Sequence, residues 1–202
     1  MSSKKDFFAY KANDYEKDVR RTGNVADIAD GILKEITFTK EHHVMDFGSG
    51  TGLLTQEVAP YVKKITCIDM SKSMTDVLRT KQKDFNCELA IKEVDITKVD
   101  INETYNAIIS SMTIHHVEDI KKLFEQFYSM LEPKGIIALA DLEPEDGTFH
   151  SVDTGVFHLG FDKDWFLNIA KEVGFKNLKI QTISVAKKPY GDFPIFLLTG
   201  NK

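Results

Sequence analysis

Apolar and polar positions along the 202-residue chain follow two alternating periods. Short β-branched runs, apolar on both faces, occur at 42–47 (HHVMDF), 64–69 (KITCID), 88–94 (ELAIKEV), 106–111 (NAIISS) and 135–142 (GIIALADL), the pattern of strands buried in a parallel sheet. Between them, residues 52–62, 72–84, 119–131 and 161–174 carry apolar positions at spacings of three and four. SKSM at 71–74 reads as a helix start and EPKG at 132–135 as a stop. Strand, helix, strand, repeated with right-handed crossovers, predicts a doubly wound, Rossmann-like α/β sheet that is mostly parallel. The chain ends differently. NLKIQTISVAKK (177–188) and FPIFLLTG (193–200) are separated by PYGD alone, too short for a helical crossover, so they predict an antiparallel C-terminal hairpin that completes seven strands.

With no repeat, linker or low-complexity tract, the length predicts a single domain over 1–202. The formal net charge of −5, with basic and acidic residues interspersed, supplies no basic stripe for phosphate backbones or anionic lipid, which argues against nucleic-acid and membrane partners and leaves a monomer or homodimer. Cys67 and Cys87 lie in or beside expected strands and read as core thiols. Without a recognisable signal peptide or long apolar segment, the expected location is the cytoplasm.

In an open α/β sheet the ligand sits beyond the carboxyl ends of the strands, so the most informative stretch is VMDFGSGTG at 44–52. Gly48, Gly50 and Gly52 permit a tight turn from strand to helix and close approach of a ligand to the main chain. A dinucleotide fingerprint would place a third glycine at position 53, which is Leu53. Asp46, just before the turn, would repel a pyrophosphate and suits a cationic group.

These residues resemble the signature of class I S-adenosylmethionine-dependent methyltransferases, and further positions agree. Asp69 in CIDMS stands where that family places an acid on the ribose hydroxyls, and VDI at 94–96 matches the segment that holds the adenine, with Asp95 accepting from its amino group. AIISSMTIHHVED (107–119) is similar to the small-molecule branch, which includes the quinone-biosynthesis enzymes, and LEPKGIIALADL (131–142) to the turn into the fifth strand. The resemblance implies S-adenosyl-L-methionine as cofactor, bound by Asp46, Gly48, Ser49, Gly50, Gly52, Asp69, Met70, Asp95, Ile96, Ser110 and Ser111, with Tyr15 reaching over from the N-terminal side. It implies methyl transfer to a small-molecule acceptor by in-line displacement; a donor-binding protein of the same fold without transfer activity is the alternative. Two departures inform the acceptor. The fourth strand exits through SSMT rather than an Asn/Asp-Pro-Pro-aromatic stretch, which argues against amide or nucleobase nitrogens, and no carboxylate for a catechol-type metal site stands there.

An acceptor hydroxyl or thiol needs a general base, and histidine suits neutral pH. His115 and His116 leave the fourth strand, so at least one is expected to face the cleft. His115, Asp141 at the end of the fifth strand, and His150 and His158 on the following loop are expected to converge there, with His115, His150 and Asp141 as the catalytic set. No H-x-x-H or H-x-x-x-H spacing occurs, so no metal is expected. Two segments are expected to close the cleft: an N-terminal lid over 1–22, with aromatic and charged residues in a helical pattern, and the long connection 143–160, which carries Glu143, Glu145, Asp146, Phe149 and Phe157 besides its histidines.

Overall fold

The computed structural model describes residues 6–99, 101–150, 152 and 154–202. Residues 1–5 of the expected lid, and 151 and 153 of the expected loop, lie outside them. Seven strands, β1 (His43–Phe47), β2 (Lys64–Asp69), β3 (Glu88–Glu93), β4 (Tyr105–Ser111), β5 (Leu131–Leu142), β6 (Lys176–Lys188) and β7 (Gly191–Asn201), form one sheet in the order β3-β2-β1-β4-β5-β7-β6. The first five are parallel, and β7 runs antiparallel to both β5 and β6. The order turns back between β1 and β4, and the glycine turn after β1 lies at that switch point, where crossovers leave the sheet to opposite faces. The hairpin is tighter than its sequence suggests, since Lys188 already pairs with Gly191.

The helices follow the expected positions with shorter bounds: α2 (Leu53–Val58), α3 (Lys72–Thr80), α4 (Ile120–Met130) and α5 (Lys163–Val173). Side chains close three of their N-termini: Ser71 caps α3, Asp119 caps α4, and Asp162 accepts from the Trp165 N–H at 2.9 Å. A helix absent from the sequence reading, α1 (Val19–Glu35), packs its Ile28 and Ile32 against the sheet. Gly23 and Gly31 interrupt its sequence and lower its intrinsic propensity, so it owes its stability to that buried face rather than to its own composition. β5 also begins earlier than expected: Leu131 pairs with Tyr105, the register then breaks, and pairing resumes at Ile136, leaving 132–135 looped out.

Alternation along each strand divides the core in two. Val44, Ile65, Cys67, Ile109 and Ala140 point to the face covered by α1 and α2. Met45, Ile68, Ile108, Leu139 and Phe196 point to the other face, where Phe124, Phe127 and Phe166 of α4 and α5 form an edge-packed aromatic group with centroids 5.1 to 6.4 Å apart. With both faces covered, the carboxyl edge of the parallel strands remains open for a ligand. At the opposite edge, the Asn106 side-chain carbonyl accepts from His43 N–H at 2.7 Å, a structural hydrogen bond far from the ligand end. Among the described residues no helix is long and apolar enough to cross a membrane.

Candidate active site

A cavity of about 900 Å³ runs across the carboxyl ends of β1, β2 and β4. Its wall includes every expected donor residue except Gly52 and Ser110. Those two are corrected by packing. Gly52 opens α2 with φ of +89°, and a Cβ there would meet Leu78 at 2.4 Å; the Ser110 hydroxyl donates to the Phe47 carbonyl at 2.8 Å inside the sheet.

The glycine turn differs from a phosphate cradle in that the amides of Gly48, Ser49, Gly50 and Gly52 are engaged within the protein. The Gly48 and Ser49 N–H groups donate to the Ile68 carbonyl (2.7 and 3.2 Å), Gly50 N–H to Asp69 (2.8 Å), and Gly52 N–H to the Ser49 carbonyl (2.8 Å). A ligand therefore approaches the bare backbone closely at a turn where four of the five amides of residues 48–52 are already engaged. At Gly50, φ is +55° and a side chain would project into open space; this is the glycine that leaves room for a ligand.

Two carboxylates frame the turn. Asp46 is buried, accepts the Thr55 hydroxyl at 2.5 Å, and has its pKa raised to about 7, first by burial and further by the neighbouring Asp69 charge. Asp69 accepts Gly50 N–H and Ser71 N–H, both at 2.8 Å; burial pushes its pKa up, against the pull of those hydrogen bonds. Asp69 lines the cavity, and a carboxylate has acceptor sites enough for a diol besides its backbone donors. The Thr51 and Ser111 hydroxyls, both on the cavity wall, are buried without a partner. Asp95 accepts from the Thr97 hydroxyl at 2.6 Å while lining the cavity beside Ile96.

The N-terminal segment crosses the mouth. Asp6 accepts from the Ser71 hydroxyl (2.9 Å) and the Ser73 hydroxyl (2.7 Å) at the start of α3, Phe8 meets His116 edge to face at 5.5 Å, and Phe7, Phe8 and Tyr15 line the cavity. Tyr15 is fixed from behind by Arg21, whose guanidinium lies 4.1 Å from the ring centroid and donates to the Tyr15 carbonyl at 2.6 Å.

At the far end stand the histidines. His115 and His116 occupy a short 3-10 turn (Ile114–His116) after β4, and Met112 before it adopts φ of +56° at the strand exit. His116, not His115, lines the cavity. His115 is 1% exposed, with its Nδ1 2.6 Å from Asp141 Oδ1 and its main-chain N–H 3.1 Å from Asp141 Oδ2. Burial alone would raise the Asp141 pKa, but His115 and the Leu142 and His115 N–H groups hold it below the ordinary range. His150 joins the same group, 5.2 Å from His115 and 5.8 Å from His116 between ring centroids. Burial, then the charge at His115, lowers His116 to about 4 and His150 to about 3.

His158 does not converge there, contrary to expectation. Its ring packs against Phe161, and its Nε2 lies 3.2 Å from the Glu118 carbonyl. The loop acids also serve the loop itself: Glu145 accepts from Gly147 and Phe149 N–H, Asp146 from Thr148, and Glu143 pairs with Lys163. The loop gives the cavity Thr154, Gly155 and Phe157 instead. Thr51, Phe8 and Thr154 lie in the expected turn, lid and loop without having been singled out there; for His115 and His116, only the turn geometry decided which of the adjacent histidines faces inward.

An α/β sheet of this order, with a cavity across its carboxyl edge, is the fold seen in solved Rossmann-like methyltransferases. Residues 44–135 match the family model described as a methyltransferase domain, and the chain carries that domain. An uncharacterized methyltransferase of Schizosaccharomyces pombe is 30% identical over 154 residues, covering 68% of this chain and 54% of that protein. A ubiquinone biosynthesis O-methyltransferase of Coxiella burnetii is 28% identical over 106 residues, covering 52% of this chain and 44% of that one. The chain thus spans about half the length of these curated relatives. Among solved structures, the DhpI–SAH complex superposes with a TM-score of 0.75 at 16% identity, covering 97% of this chain and 93% of that one, a likeness of fold.

Proposed function

We propose that the protein is an S-adenosyl-L-methionine-dependent methyltransferase acting on a small-molecule acceptor in the cytoplasm. One observation carries this reading: one cavity joins a glycine turn, flanked by Asp46 and Asp69 and with four of its amides engaged within the protein, to the histidine cluster through His116. The donor lies along the first half, with its ribose on Asp69, its adenine beside Asp95 and Ile96, and its cationic amino acid portion toward Asp46 and Tyr15. The acceptor enters from the side of His116, Thr154 and Phe157. A lone pair on the acceptor attacks the methyl carbon in line, the methyl–sulfur bond breaks, and its electrons return to sulfur, which leaves as the neutral thioether of S-adenosylhomocysteine. The protein's part is chiefly alignment, which supplies roughly 7 to 11 kcal/mol in favourable model systems. His115, His150 and Asp141 form the acceptor-side set, reached through His116. The N-terminal segment is the lid, and the free thiols of Cys67 and Cys87 suit a reducing cytoplasm.

Calorimetry tests the donor reading. S-adenosylmethionine and S-adenosylhomocysteine are expected to bind, and NAD far more weakly. Asp69→Ala is expected to lose about 2 to 4 kcal/mol of donor affinity as its charge-assisted hydrogen bonds disappear. NAD binding equal to the donor's, or unchanged donor affinity in the variant, would sink the assignment.

A further inference from the structure

We propose that His115, His116 and His150 bind one divalent transition-metal ion of the zinc class, with Asp141 as the positioning residue for His115. Among the described residues these three form the group able to hold a metal, each offering one nitrogen, all within 4.8 Å of one another. Ligand nitrogens around zinc stand about 3.3 Å apart, so small side-chain rotations complete the site. Two buried atoms point independently to a ligand. His115 Nε2 and His150 Nε2 are both enclosed and without a hydrogen-bond partner, whereas buried ring nitrogens are ordinarily paired.

The surroundings fit the same reading. Asp141 takes His115 through Nδ1 and is itself held by the Leu142 N–H at 2.7 Å, the carboxylate–histidine arrangement that fixes a ligating ring and directs Nε2 toward a metal. His116 turns its Nδ1 toward the Gly155 carbonyl at 3.4 Å, which frees its Nε2 in the same way. Three nitrogen donors without an oxygen among them select zinc, cobalt, nickel or copper over magnesium or calcium. Three protein ligands leave a fourth position open, as in catalytic zinc sites. In this respect the inference rests on the methyltransferase reading: the acceptor is a hydroxyl or thiol that loses its proton to solvent on coordination and attacks the donor methyl as the oxyanion or thiolate.

Metal uptake is measured on tag-free protein stripped with chelator and titrated with Co²⁺, read by visible ligand-field absorption and by elemental analysis after dialysis, with urea unfolding of the stripped protein as the control for folding. One equivalent of cobalt, displaced by zinc and not by magnesium, is expected. His116→Ala and His150→Ala are expected to weaken uptake at least 100-fold, and Asp141→Asn by about 10- to 100-fold with an altered spectrum. Saturable cobalt binding lost in the histidine variants supports the site whether or not S-adenosylhomocysteine binds, so failure of the donor reading stays separate. No stoichiometric uptake by the wild type, or equal uptake by a folded variant lacking all three histidines, overturns it.

Discussion

Asp46 shows how much one residue's surroundings decide. Only 1% of it is exposed, Thr55 supplies its hydrogen bond, and burial carries its pKa from 3.8 to about 7. A value raised on folding means that the protonated form stabilises the fold: that contribution is complete below 3.8 and lost as pH rises through about 7. A cationic donor group favours the carboxylate, so binding should release a proton when it occurs below the folded value. At pH 6 the calorimetric enthalpy should therefore vary with the ionisation enthalpy of the buffer, by close to one proton, and at pH 8.5 it should not. Donor affinity should rise with pH up to about 7 and then level off. Asp46→Asn should abolish the proton release and weaken the donor; a buffer-independent enthalpy in the wild type at pH 6 would remove Asp46 from the donor site.

At the scale of elements, the turn between β1 and α2 carries the greatest conformational demand. Gly48 has φ of +71°, and an added Cβ would lie 2.1 Å from the Thr113 methyl. Gly23 on α1 has nothing within 4 Å. The same substitution should thus act in opposite directions. Gly48→Ala should destabilise by at least about 1 to 2 kcal/mol through left-handed strain and collision, while Gly23→Ala should stabilise by roughly 0.5 to 1 kcal/mol through helix propensity. Urea midpoints compare the two directly. The glycine spacing was legible in the sequence as a turn; that its amides face Ile68 and Asp69 depended on the pairing of β1 with β2, which a linear reading does not specify.

Across the whole molecule, the N-terminal segment links the two ends of the cavity, with Asp6 tied to α3 and Phe8 against His116. Burial works to raise the Asp6 pKa, but the hydrogen bonds from Ser73, Phe8 and Ser71 outweigh it and hold it below the ordinary value. A depressed value means that the latch is present above 3.8 and is lost as pH falls through the folded value, so closure should not vary between pH 5 and 8. Asp6→Ala should accelerate hydrogen exchange over residues 6–17 and weaken S-adenosylhomocysteine several-fold, with little change in global stability. Exchange in the wild type that is already as fast as in the variant would show that the segment does not act as a lid.

The sequence by itself determined the alternation of strands and helices, the terminal hairpin, and the acids and glycines at the ends of the first two strands, because burial on both faces and tight turns impose residue types locally. It did not disclose α1, whose two glycines mask a helix held by tertiary contacts. It left Ser110 and Gly52 looking like ligand residues, although one is bonded within the sheet and the other packs against Leu78. It also set His158 beside His150 without separating them. Only the tertiary structure decided that His150 crosses back to His115 and His116, 35 and 34 residues earlier in the chain, while His158 packs on Phe161. The physical reason is that ring orientation on a loop is set by the hydrogen bonds and packing of whatever elements it crosses, and here those are the exits of β4 and β5, which become neighbours only when the sheet forms.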